Sequence, residues 1–278
     1  MKAFPSSDFH PSPAWTRESQ LVELRHPNVI RVIDAKFIRE PNPNDKTMPN
    51  CYTLMELAPY GTFLDFVSSK RFDGDEILAR TYFHHLIDAI EYLHNNGIAH
   101  TNISLENLVL GQDYQLKLVG FSNLNSEKTG FRYSQGTKNF RAWEVKQGKS
   151  FSPKAADIYS AGIFLFVMKC GGMMPYVEDR PINGFDLFEI LKKGYDAYWE
   201  AYHECQNRIL HCDEDFMELF ISMVKYNPSE RASIESIKSN PWYQKEIYSS
   251  EELIALMKEK YRVSTILKKK SHVRQDFD

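Results

Sequence analysis

The sequence predicts an α+β fold, a short strand-bearing segment followed by a longer and mostly helical one. Three observations predict it. Val29–Ile38 and Cys51–Leu57 read as strands on either side of a polar, Pro- and Asn-rich turn at Arg39–Pro49. Asp75–Asn95 places Ala79, Tyr82, Leu86, Ala89, Ile90 and Leu93 at helical spacing, and Gly97 follows as a natural helix stop. Later, Phe185–Lys193 and Tyr198–Gln206 read as amphipathic helices.

Composition supports a globular chain. The 278 residues are 42% hydrophobic and 26% charged, ample for a full core. A net charge of −3 gives no basic field, so neither nucleic acid nor a membrane surface is an expected partner. Cys51, Cys170, Cys205 and Cys212 form no regular framework and read as reduced core thiols. His203, Cys205, His211 and Cys212 lie close together, but no CxxC or HxxxH pair recurs, so no metal site is expected. With no apolar run of 18 residues and no leader pattern, a soluble, cytoplasmic protein is expected.

In chain order, residues 1–14 carry three Pro and three Ser and read as an irregular arm. A helical pattern runs from Trp15 to Arg25, with Thr16 as its candidate cap, and His26-Pro27-Asn28 stops it. After the two strands, Pro59-Tyr60-Gly61-Thr62 breaks the chain and Phe63–Ser68 opens a short helix. Leu108–Leu110 and Leu116–Val119 are short strands, and Gly120–Glu144 is polar and irregular. Near the end, Ser249 and Glu252 form a capping box ahead of Leu253, Ile254, Leu256 and Met257. Beyond it lies a basic end (Lys258, Lys260, Arg262, Lys268–Lys270, Arg274), in which 253–267 is a candidate docking helix, on a partner or on the chain itself, and 271–278 a solvated tail.

The stretch His100-Thr101-Asn102-Ile103-Ser104-Leu105-Glu106-Asn107 follows Glu-Tyr-Leu-His-Asn-Asn-Gly at 91–97. Gly136-Thr137 leads to Ala142-Trp143-Glu144, Asp157–Phe166 is almost wholly apolar, and Asn227-Pro228-Ser229-Glu230-Arg231 comes later. Taken in this order, the motifs resemble a protein kinase of the Ser/Thr type, nearest the calcium/calmodulin-dependent and AMP-activated group, from about Trp15 to Tyr243. The resemblance implies a protein-kinase-like fold divided into an arm (1–14), a small lobe (15–58), a helical large lobe (59–243) and a C-terminal helix with a basic tail (244–278). The small lobe is expected to lack the family's first three strands.

The resemblance also assigns roles. Asp157 holds the backbone of the His100 loop, Glu144 pairs with Arg231, and Phe121 packs beneath the small-lobe helix. At the chemical positions the family's residues are replaced. His100 and Asn107 keep the frame, but Thr101 stands for Arg, Asn102 for the catalytic Asp and Ser104 for Lys, and either Gly120 stands for the metal-binding Asp or an Asp-Phe pair has been lost outright. An amide cannot take a hydroxyl proton at neutral pH, and a hard cation needs anionic oxygens. Lys2 lies where the phosphate-gripping Lys belongs, yet an N-terminal Lys near Pro5, Pro11 and Pro13 reads as mobile. Its expected Glu falls at Arg17 by counting back from His26, with Glu18 one residue away.

The expectation is therefore a pseudokinase: no enzyme activity, no catalytic residues, no cofactor, metal or metal-bound nucleotide, and a scaffold role. A protein partner, or the arm 1–14, is expected to cover the small-lobe face, and the tail is a second candidate contact. The alternatives are a divergent active Ser/Thr kinase using ATP, and a truncated product of a longer kinase gene.

Overall fold

Lys2 and Ala3 already belong to a sheet. In the computed structural model they form β1 (Lys2–Ala3), pairing antiparallel with β3 (Cys51–Met55) in the register Lys2↔Thr53 and Ala3↔Tyr52. On its other side β3 pairs with β2 (Val32–Phe37), giving the order β1-β3-β2, with a register shift between Val32 and Asp34. The structure describes residues 1–4, 11–37, 51–69, 72, 74–121, 125–126, 137–147, 151–176, 186–193, 195–206 and 213–275. The turn 39–49 and most of the polar segment 120–144 thus lie outside the described residues.

The expected irregular arm needs correction at both ends. Its first residues are a strand, Phe4 is buried, and the helix begins before residue 15. Helix α1 (Pro13–Ser19) starts where Ser12 accepts from the Trp15 amide, with Pro13 in the first turn, where its missing N–H costs nothing. Thr16, the expected cap, sits one turn inside and donates back to the Ser12 carbonyl. A 3-10 turn at Gln20–Glu23 ends the element. The two-stranded small lobe expected from the sequence thus has a third strand. Pro5 and Pro13 do not oppose it, because β1 ends before one and α1 starts at the other.

The large lobe is built on α3 (Glu76–Asn95) and α5 (Pro153–Lys169). Asp75 caps α3 through the Leu78 amide, and Ser152 caps α5 through the Ala155 amide. Helix α3 buries Leu78, Tyr82, Leu86, Ile90 and Leu93 and leaves through Gly97, whose φ of +71° only glycine adopts cheaply. Helix α5 is buried on every side from Ala156 to Met168, which is why it reads as an almost wholly apolar run, broken only by Asp157 and Ser160. Against this pair pack α2 (Phe63–Ser68), α4 (Trp143–Lys146), α6 (Leu187–Leu191), α7 (Tyr195–Gln206), α8 (Glu214–Met223) and α9 (Ile234–Ser239).

Four short strands carry the loops that matter. β4 (Ile98–Ala99) pairs with β7 (Asn125–Ser126), and β5 (Leu108–Leu110) forms a hairpin with β6 (Leu116–Leu118). The last element, α10 (Ser250–Gln275), begins with the capping box read from the sequence. It packs on the large lobe: Leu253 and Met257 are buried, and the Tyr261 hydroxyl donates to the Tyr60 carbonyl at 3.0 Å. Among the described residues, no helix is long and apolar enough to cross a membrane.

Candidate functional site

The loop after β4 hangs from one carboxylate. Asp157, buried on α5, accepts from the backbone N–H groups of His100 at 2.8 Å and Thr101 at 2.7 Å. The His94 Nε2 lies 2.9 Å from the same group. Charge-assisted bonds of this kind are short and strong, and they repay the desolvation of a buried carboxylate. Held this way, Thr101 adopts a left-handed φ of 58°, which costs a β-branched residue energy that the anchoring must supply.

His100 links this loop to the strand hairpin. Its Nε2 donates to the Val119 carbonyl at 2.8 Å, and its Nδ1 accepts from the Asn102 amide at 3.2 Å. Both contacts suit the neutral ring. Burial pushes the imidazole pKa down, and Asp157 opposes this only in part. The ring meets the buried Phe121 edge-on at 4.9 Å.

Two loops then close on each other. The Asn107 amide donates to the Asn102 carbonyl at 2.9 Å, and the Asn107 carbonyl accepts from the Val119 amide at 2.9 Å. Gly120 follows with a φ of +85°. A Cβ built there would overlap the Asn107 side-chain oxygen and come within 2.6 Å of its Cγ. A side chain at 120 therefore has no room while Asn107 stays where it is. Asn102 and Ser104 face a different situation: among the described residues, the buried Asn102 Oδ1 and Ser104 Oγ have no hydrogen-bond partner.

On the small lobe, the Lys2 ammonium pairs with the carboxylate of Glu18, a residue only 1% exposed. The other Glu18 oxygen accepts from the Thr53 hydroxyl at 2.9 Å. Lys2 also lies over the Phe4 ring at 4.7 Å. The expectation of a mobile Lys2 is thereby corrected, and the paired acid is Glu18, not Arg17. Counting back from His26 gives Arg17 with Glu18 one residue away, and the ion pair decides for Glu18. Two signals could have found the pair. Trp15, Glu18 and Leu21 share a face at steps of three, and Lys2 precedes an apolar Phe4 at strand spacing.

A second cation, Lys117 on β6, ties the lobes together. It donates to the Pro27 carbonyl at 2.8 Å and meets Glu56 at 2.9 Å, and Glu56 also accepts from the Arg31 amide. Farther along, Arg231 grips both oxygens of Glu144 at 2.7 Å each. Its remaining N–H groups reach the carbonyls of Ala155 and Lys225 at 2.9 Å, so the buried guanidinium has a partner at each nitrogen.

The donor set has a clear chemistry. Asn107 is a neutral amide and Gly120 contributes no side chain, so these positions do not fit a hard divalent cation. Among the described residues, no group of three His, Cys, Asp or Glu side chains could hold a metal ion. Lys2 with Glu18 is of the type that kinases use to orient nucleotide phosphates.

A family model for the protein kinase domain matches residues 5–243. The chain is 32% identical over 225 residues to the serine/threonine-protein kinase ppk25 of Schizosaccharomyces pombe, covering 80% of this chain and 48% of that protein. It is 31% identical over 261 residues to the serine/threonine-protein kinase STK11 of Gallus gallus, covering 90% and 54%. With the SNF1-related protein kinase catalytic subunit alpha KIN12 of Arabidopsis thaliana it shares 30% over 223 residues, covering 79% and 40%. The chain spans about half the length of the curated relatives it matches. These names correct the expectation of a chain without enzyme activity, because relatives across most of its length are named Ser/Thr protein kinases and so point to a kinase enzyme.

Proposed function

The chain belongs to the protein kinase family, and on that premise we propose that it works through protein contact, as an interaction or scaffold subunit in the cytoplasm. One observation carries this reading. Ile33 on β2, Leu54 on β3 and Leu57 just beyond it are exposed on the small lobe, Leu57 by 80%. Apolar side chains grouped at a sheet and its exit are the usual mark of a surface that a partner covers. The buried thiol of Cys51 suits a reducing compartment. The contact role does not require phosphoryl transfer to be lost.

The test replaces Ile33 and Leu54 with Glu in the full chain, expressed with an affinity tag in its own cells. Proteins held by the native chain are identified by mass spectrometry and sized by light scattering. Loss of a stoichiometric partner in the variant is expected. A partner held equally well by the variant overturns this surface, and no partner on the native chain overturns the contact role.

A second reading is favoured by the Lys2–Glu18 pair and by the relatives' names: transfer of phosphate from ATP to Ser or Thr hydroxyls. In that reading Lys2 orients the phosphates and Glu18 holds Lys2. Radiolabelled ATP with the pure chain is then expected to label protein, and Lys2→Ala to abolish the label. Labelling that is absent, or indifferent to Lys2, overturns it.

A further inference from the structure

We infer that the groove between the ends of α6 and α8 docks an acidic, partly apolar peptide segment of a partner protein. This rests on the contact reading and names a partner chemistry for it, at a surface distinct from the small lobe. The groove encloses about 340 Å³. Its floor is apolar, with Leu191, Ile221 and Val224 all buried. Its walls carry Lys192 and Lys193 after α6 and Lys225 after α8. On a chain of net charge −3, this is a local reversal of sign.

The cations divide into two kinds. Lys192 is already engaged: it meets Glu189 at 2.5 Å and lies over the Trp143 ring at 4.5 Å. That side chain is part of the wall. Lys193 and Lys225, by contrast, are in no ion pair among the described residues. The acid in the lining, Glu230, already accepts from the Asn227 amide at 2.9 Å. Two ammonium groups therefore remain to meet carboxylates, with an apolar floor between them. Tyr226, 47% exposed and 5.6 Å from Trp143, supplies an aromatic rim of the kind that anchors peptides.

Charge geometry favours a peptide over a compact anion. Both walls follow helix C-termini, whose carbonyls carry partial negative charge and disfavour a dense dianion. The one helix start in the lining, the 3-10 turn Pro228–Glu230, is already capped by Asn227, whose side chain accepts from the Ser229 amide, and among the described lining residues there is no forked guanidinium of the kind phosphate recognition uses. Carboxylates spaced along a chain, with an apolar side chain between them, match the layout.

The experiment uses the full chain and a fluorescein-labelled peptide, Glu-Leu-Glu-Glu-Leu-Glu, followed by anisotropy. Saturable binding is expected. It should weaken at least about tenfold in the double variant Lys193→Glu/Lys225→Glu, and also on moving from 50 to 500 mM salt. The variant's thermal melt, and a Lys193→Arg/Lys225→Arg variant that retains binding, separate the site from a folding defect. Equal binding by native and double-variant chains overturns the proposal while leaving the small-lobe partner test untouched. Inorganic phosphate displacing the peptide at micromolar concentration overturns it in favour of an anion site. Self-association that disappears in the double variant overturns it in favour of a second copy.

Discussion

Two polar regions of the large lobe treat buried groups in opposite ways. Around Arg231 and Asp157 the buried charges are paired: Arg231 with Glu144 and two carbonyls, Asp157 with two backbone N–H groups and His94. Farther along the loop that Asp157 holds, Asn102 Oδ1 and Ser104 Oγ are buried with no hydrogen-bond partner among the described residues. In the first region removing a group exposes its partner to an uncompensated burial, whereas in the second a polar atom is already uncompensated. The same kind of substitution should therefore change stability in opposite directions.

The largest expected effect is at the paired end. Arg231→Met leaves Glu144, its side chain only 11% exposed, without its bidentate partner and should lower the stability of the full chain by roughly 3–5 kcal/mol, read from urea denaturation. Glu144→Gln should cost nearly as much, and the double variant much less than the sum. Additive losses would show that the two groups do not act as a unit.

Acid should strike next, through histidines buried as neutral rings. Burial pushes the His85 pKa down from 6.5 to about 4, and His26, His84 and His100 move in the same direction for the same reason. Asp88 faces His85 and opposes the shift, whereas the neighbouring His84 and His26 reinforce it. With the folded pKa below the unfolded one, the unfolded chain binds the proton first. Stability is thus complete above about pH 6.5 and falls as pH drops toward 4, by about 3 kcal/mol for His85. Denaturation series at pH 7, 5.5 and 4.5 on native and His85→Phe chains check this: the variant should have the shallower slope.

Gly120→Asp tests the closed contact between the two loops. The new Cβ collides with Asn107, and a non-glycine residue at φ +85° is strained, so a loss of about 1–3 kcal/mol is expected. Asn107→Ala should be less damaging in that background than in the native chain, because it removes the obstacle. Equal costs in the two backgrounds would mean that the overlap is absorbed elsewhere.

How much of this was readable beforehand depended on the range of the interaction. Helix α3 was legible because its apolar spacing is local, whereas α5 entered only through the family resemblance of Asp157–Phe166, its buried surface leaving no amphipathic period to read. Strand β1 was not, since two residues say little and its partners lie fifty positions away at Tyr52 and Thr53. The count back from His26 left Arg17 and Glu18 one position apart, and only the contact with Lys2, sixteen positions away, separates them. The Glu144–Arg231 pairing entered through family resemblance, and nothing in the spacing of the two residues announces it. The orphaned atoms of Asn102 and Ser104 were illegible in principle, because hydrogen-bond satisfaction is a property of packed surroundings.

Ser104 gives the smallest effect and the sharpest sign. Its side chain is fully buried and its hydroxyl oxygen unpartnered, so the native residue carries a desolvation cost with no bond to offset it. Ser104→Ala removes one atom and that cost together. Stability should rise by up to about 1 kcal/mol, against the usual direction of core substitutions. Ser160→Ala is the matched control: that buried hydroxyl donates to the Phe140 carbonyl at 2.8 Å, and its removal should lower stability by a similar amount. If both substitutions destabilise equally, Ser104 has a donor or acceptor in solution, and the contrast between the two regions fails where it was drawn most finely.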